Sequence, residues 1–128
     1  MAIRIVRLGS PRHPQEGLRL GTVRRPPRGV PKAQHAARDF YDVWLPNLAP
    51  SERLLKSAKT VDDARSWSAF KRAFSAEMKA PDASRVLDLI AALSHTTSLS
   101  IGCYCADEAR CHRSVLRQLL AERGADIE

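Results

Sequence analysis

The 128-residue chain has no uninterrupted apolar run of the roughly 18 residues that a membrane-spanning helix needs. Its opening, Met1-Ala2-Ile3-Arg4-Ile5-Val6-Arg7, is broken by arginines and lacks the apolar centre of a secretory signal, so a cytoplasmic protein with no membrane partner is expected. Cysteine is scarce: three cannot all pair within one chain, and Cys103 and Cys105 are too close in sequence to favour a structural disulfide. Reduced thiols or metal ligation remain. No internal repeat or low-complexity tract is present, and basic residues are not interleaved with aromatics as in single-strand nucleic-acid binders. Acid is nearly missing from the N-terminal third: residues 1–38 carry nine Lys/Arg and one acidic residue, a net of +8, whereas residues 39–128 carry twelve and thirteen, a net of −1. A basic protein of this kind attracts anions, and a small anionic molecule is preferred over nucleic acid as the expected partner.

What is present fits one compact domain over residues 1–128, since the length and the 44% hydrophobic content suffice for a single core. Ile3, Ile5, Val6 and Leu8 read as a first strand, expected to be central, that ends at Gly9-Ser10-Pro11. Leu18 to Val23 reads as a short second strand weakened by its glycines and closed by Pro26-Pro27. The segment Arg24-Arg25-Pro26-Pro27-Arg28-Gly29-Val30-Pro31-Lys32 is a proline-restrained loop dense in cations. Restricted φ angles lower the ordering entropy lost when an anion binds, which makes Arg24, Arg25 and Arg28 candidate anion ligands. His35 reads as a surface residue. Phe40 to Leu45 reads as a buried strand or extended segment with Trp44 in the core, and Asp39 or Asp42 as a partner for an arginine.

Ser51 is expected to cap a helix ending near Ala58, and Thr60 with Asp63 to open a second, whose Trp67, Phe70, Phe74 and Met78 fall on one face. Pro81 starts a third helix with Val86, Leu87, Ile90 and Leu93 on its apolar side. Leu99, Ile101, Cys103 and Cys105 alternate with small or polar residues as in a strand. A last helix runs from about Cys111 to Arg123 and stops at Gly124. Strands near both ends, helices between them and a closing strand-loop-helix predict an α/β fold with a small, largely parallel sheet flanked by helices.

All three cysteines fall in Ile101-Gly102-Cys103-Tyr104-Cys105-Ala106-Asp107-Glu108-Ala109-Arg110-Cys111-His112-Arg113-Ser114, a strand end, a loop and a helix start. Ligands of open α/β sheets gather beyond the C-terminal strand ends, and helix N-termini and nearby cations favour thiolate over thiol. Cys111 or Cys103 is therefore a candidate nucleophile, His112 a proton carrier, and Arg113 and Ser114 ligands for an oxyanion. The arrangement is similar in logic to the loops of thiol phosphatases and arsenate reductases. Its register differs, because the seven residues between Cys105 and Arg113 exceed by two what such loops carry. Zinc is a lower-ranked alternative: Cys103, Cys105, Cys111 and His112 are suitable donors, but Cys-x-Cys is tighter than the common ligand spacing. No cofactor is expected.

Arg7-Leu8-Gly9-Ser10, the run Glu16 to Val30, Tyr41-Asp42-Val43-Trp44-Leu45-Pro46 and the Cys-x-Cys…Cys-His-Arg-Ser stretch together resemble the domain-of-unknown-function 488 family over nearly the whole chain. The resemblance implies an α/β fold. It matches Cys103, Cys111, His112 and Arg113 to the family's Cys…Cys-His-Arg signature and leaves Cys105 more dispensable, which lowers a four-ligand zinc site further. The expected function is a thiol-dependent enzyme acting on a phosphorylated or otherwise anionic substrate, with a non-enzymatic nucleic-acid or phosphate-ligand binding domain as the alternative.

Overall fold

The computed structural model describes residues 2–58, 63–105 and 107–128. Four strands, β1 (Ile3–Arg7), β2 (Leu18–Gly21), β3 (Val43–Trp44) and β4 (Leu99–Cys103), form one sheet in the order β1-β4-β2-β3, and every pairing is parallel. Helices α1 (Glu52–Ala58), α2 (Ala64–Glu77) and α3 (Pro81–Leu93) lie in the long connection from β3 to β4, and α4 (His112–Glu122) follows β4. No helix among the described residues is long and apolar enough to cross a membrane.

The central strand is β4, and β1 stands at an edge, contrary to its expected central place. Composition explains the exchange: Leu99-Ser100-Ile101-Gly102-Cys103 is buried at all five positions, whereas β1 carries Arg4 and Arg7 and is buried fully only at Ile3. A strand covered on both faces cannot hold unpaired charge. The open edge of β1 is covered by the C-terminus, which adds a parallel bridge from Ile3 to Ile127 and a bond from the Glu128 N–H to the Ile3 carbonyl.

The two sheet faces are filled differently. Ile3, Leu20, Leu99 and Ile101 pack against Phe70, Phe74, Leu87, Ile90, Leu116 and Leu120 from the helices. The expected stripe of α2 therefore enters the core, with Trp67 at its partly buried edge. Asp63 caps α2 by accepting from the Ser66 N–H at 2.7 Å; Thr60, its expected partner, lies outside the described residues. Pro81 begins α3 and Gly124, at φ +76°, ends α4 as expected.

The opposite face carries Arg19 and Ser100 in register, and it is covered by loops. Arg19 is fully buried, and Glu16 nearly so. The guanidinium gives two bonds to the Glu16 carboxylate, Nε to Oε1 at 2.5 Å and Nη2 to Oε2 at 3.0 Å, while Nη1 bonds the carbonyls of Ser10 and Asp39. Ser100 Oγ donates to Glu16 Oε1 at 2.6 Å and the His13 N–H to Oε2 at 3.1 Å. Burial pushes the Glu16 carboxyl up, but the bonds from Arg19, Ser100 and His13 outweigh it and hold the carboxyl at about 2.

Close approach explains the glycines of β2 and β4. A Cβ on Gly21 would stand 2.3 Å from the Tyr41 ring, and one on Gly102 2.7 Å from Leu8. Arg12 meets Asp42 through two bonds, at 2.8 and 3.1 Å, and Asp39 through one at 3.3 Å, so both acids orient the same arginine.

Two further expectations are corrected. Trp44 is 43% exposed, because the predicted Phe40–Leu45 strand pairs only at Val43 and Trp44 and forms the sheet edge; its indole N–H donates to the Val23 carbonyl at 2.8 Å. His35 is buried, its Nε2 3.0 Å from the Val30 carbonyl and its ring edge-on to Tyr41.

Candidate functional site

All strands are parallel, so their C-terminal ends share one side of the sheet, and the cysteines collect there. The strand ends at Cys103, which packs with Leu8, Val23, Tyr41 and Cys111 rather than in the helix-side core of Leu99 and Ile101. Cys105 lies beyond the strand and is exposed, so the alternation expected through it stops one residue pair earlier. A short turn at Glu108–Arg110, capped by Asp107 on the Ala109 N–H at 2.9 Å, returns the chain to Cys111, the N-cap residue of α4. Cys111 Sγ then lies 2.7 Å from Cys103 Sγ, both side chains buried. The Cys105 N–H points at Cys103 Sγ at 3.4 Å.

His112 is buried and stands edge-on to Phe74, the ring centroids 5.5 Å apart. Its Nε2 is 2.6 Å from the carbonyl oxygen of Thr22 at the end of β2. A carbonyl only accepts, so Nε2 carries the proton and Nδ1 presents its lone pair. That lone pair is on the side of Cys111 Sγ, at 3.7 Å. Thiol, imidazole and orienting acceptor therefore stand in series, the arrangement that activates a cysteine nucleophile.

Arg113 is also buried. Nη1 donates to the Val6 carbonyl at 2.6 Å and Nη2 to the Cys105 carbonyl at 2.7 Å, so the guanidinium ties the end of β1 to the cysteine loop. Nε has no hydrogen-bond partner among the described residues. Burial works against the charge of Arg113, and the cysteine sulfurs beside it more than offset this, raising its pKa.

The three thiols titrate as a group. Hydrogen bonds to Cys105 and Cys111, reinforced by burial, push the Cys103 thiol up, so Cys103 keeps its proton and donates. Cys105 is lowered to about 3 by the bond from Cys103 first, then by Cys111 and Arg113. Cys111 is lowered chiefly by the bond from Cys103, with His112 adding to it and Cys105 and burial opposing it.

The remaining predicted ligands are nearby but differently engaged. Ser114 Oγ donates to the Cys111 carbonyl at 2.9 Å. Arg24 bonds the Pro50 and Ala49 carbonyls, each at 3.0 Å. Arg25 pairs with Glu52 at 2.9 Å with its side chain 71% exposed, and Arg28 is exposed with no partner among the described residues. The arginine loop does reach the cysteine loop: Tyr104 Oη donates to the Arg25 carbonyl at 2.8 Å, and Arg7 Nε donates to the Tyr104 carbonyl at 3.3 Å. Sequence reasoning missed Thr22, because it acts through a backbone carbonyl, which any residue supplies. It also missed Tyr104, whose alternation with the cysteines was the only signal.

Cys103, Cys111 and His112 place their donor atoms within 4.8 Å of one another. Two thiolates on one tetrahedral zinc, each at about 2.3 Å from the metal, stand about 3.8 Å apart. The observed 2.7 Å is too close for such a pair.

A family model described as the active DUF488-N3 subclade, DUF488-N3a, matches residues 3–124. The chain belongs to the DUF488 family. Neither a curated protein nor a solved structure matches it. The matched span runs from β1 to the end of α4, so in this DUF488 chain the sheet, the cysteine loop and the buried Arg19–Glu16 pair all fall inside the family's extent.

Proposed function

We propose that the chain is a thiol-dependent enzyme for a small anionic substrate, with Cys111 as nucleophile, His112 as proton carrier and Cys103 as the thiol that holds the adjacent thiolate. The observation that carries this reading is the placement of His112. With Nε2–H on the Thr22 carbonyl, the free Nδ1 faces Cys111 Sγ and takes its proton. A histidine set by packing alone has no need of that tautomer. The N-terminus of α4 and the charge of Arg113 stabilise the thiolate left behind. Arg28 and the outer edge of Arg25 supply the attraction for the substrate's charge, since Arg24 and Arg113 have donors engaged with backbone.

Alkylation across a pH series tests this, using iodoacetate and iodoacetamide with each cysteine followed by peptide mass mapping. Cys111 should react below the pH at which an ordinary thiol does, and faster with the anionic reagent than its intrinsic reactivity predicts. Ordinary thiol behaviour at Cys111, identical in native and unfolded protein, overturns the assignment.

A further inference from the structure

A single activated cysteine needs no second thiol in contact and no third at the surface, yet this site has both. Cys103 and Cys111 are buried with their sulfurs 2.7 Å apart, and closing by less than an ångström would reach the ~2.05 Å of a disulfide bond. Cys105 is exposed, and it lies on the short path from solvent to that pair: its N–H contacts Cys103 Sγ, and its carbonyl is pinned by Arg113. The preceding residue, Tyr104, is held between Arg7 and the arginine loop. Arg7 and the arginine loop therefore flank the approach to Cys105 on one side, with Asp107 and Glu108 following it in the chain.

We propose that the three cysteines form a relay for thiol–disulfide exchange with an anionic small-molecule disulfide, Cys105 exchanging with the outside and Cys103–Cys111 storing the disulfide inside. This names the substrate class for the thiol reading above and rests on that reading. In the first step the Cys105 thiolate attacks one sulfur of the external disulfide, forming a Cys105 mixed disulfide and releasing one thiolate. The Cys111 thiolate, its proton taken by His112, attacks Cys105 Sγ and displaces the second external thiolate. Cys103 passes its proton to the released base and attacks Cys111 Sγ, and the Cys105 thiolate leaves. The net change is oxidation of the Cys103/Cys111 dithiol to a disulfide and reduction of one external disulfide to two thiols. Cys105 ends as it began, ready for another exchange. Run backwards, the same steps reduce the stored disulfide.

The geometry also explains a cysteine that sequence spacing left idle. Cys105 makes no lasting bridge in the relay, and its transient bond to Cys111, exposed at one end, is of the kind that exchanges readily.

The test uses the full, fully reduced chain with oxidised glutathione, an anionic disulfide. Uncharged hydroxyethyl disulfide and cationic cystamine serve as comparisons, and products are acid-quenched and read by intact mass and peptide mapping. The wild-type chain should yield a Cys103–Cys111 disulfide, a free Cys105 and two released glutathione thiols per chain, with no glutathione retained. Cys105→Ser should slow the reaction by about tenfold or more, Cys111→Ser should stop it as a Cys105–glutathione mixed disulfide, and Cys103→Ser should stop it as a Cys105–Cys111 disulfide with both glutathione thiols released. Oxidised glutathione should outpace the uncharged and cationic disulfides at low salt, and the difference should shrink as salt is added. Three independent glutathione adducts, or equal rates for wild type and Cys105→Ser, overturn the relay. Equal rates for the three disulfides overturn the anionic preference. Failure of the relay with Cys111 still alkylating as a low-pKa thiol leaves the thiol-enzyme reading intact; loss of that alkylation behaviour removes both.

Discussion

His112 Nε2 sits 2.6 Å from the carbonyl oxygen of Thr22, a residue ninety positions earlier in the chain. The contact joins the end of β2 to the start of α4 and determines which imidazole nitrogen faces Cys111. His112→Gln separates the two roles of the ring, since the amide still donates toward Thr22 while the base beside Cys111 is gone. Alkylation of Cys111 at neutral pH should fall by about tenfold or more, and the midpoint of its pH profile should rise. An unchanged profile would show that His112 only packs against Phe74.

Arg113 links the Val6 and Cys105 carbonyls while facing the sulfurs. A lysine keeps the charge but cannot span two carbonyls with a planar fork. Arg113→Lys should raise the pH at which thiolate forms, read by thiolate ultraviolet absorbance, and should speed hydrogen exchange in the loop around Cys105. A slower or unchanged exchange rate would contradict the tethering role.

Glu16 is held at about 2 in the fold, against an ordinary value of 4.5. A carboxyl lowered on folding contributes stability that is complete above about pH 4.5 and is lost as pH falls toward 2. Asp42, lowered by Arg12 despite its burial, acts in the same direction. Denaturant midpoints should therefore drop through this acidic window, and Glu16→Gln should flatten that part of the profile. At neutral pH the same variant leaves Arg19 buried beside a neutral partner and should cost about 3 kcal/mol or more.

Gly21 and Gly124 make a paired test of two different demands on glycine. Gly21→Ala drives a Cβ into the Tyr41 ring and should destabilise by about 1–3 kcal/mol, with broken packing beside the cysteines. Gly124→Ala meets no atom within 4 Å and suffers only from its positive φ, so about 1 kcal/mol is expected. Urea melts should rank the two in that order.

Much of this molecule follows from local rules. The α/β class, the N-cap at Ser51, Pro81 at the start of α3, the aromatic stripe of α2, a strand beginning at Leu99 and the stop at Gly124 are readable because each depends on residues within one turn or one alternation. The placement of three cysteines, a histidine and an arginine at a strand-to-helix junction is equally local. Strand order is not local: β1 reads as central by its branched apolar residues, and it becomes an edge because β4, neutral on both faces, takes the middle. Nor could spacing show that Arg19 and Glu16 would be buried together beneath the sheet, since charged residues three apart read as surface until Ser100 arrives from the far end of the chain.

The candidate site divides in the same way. Sequence by itself determined which reactive groups exist and that they lie near a helix N-terminus, because chain proximity guarantees it. Only the tertiary structure decided which atoms face one another. It set the sulfurs of Cys103 and Cys111 in contact, gave His112 its tautomer through the Thr22 carbonyl, and turned Arg113 and Arg24 onto backbone acceptors. Those choices depend on hydrogen bonds between strands distant in sequence, and a backbone carbonyl has no residue type by which to be recognised.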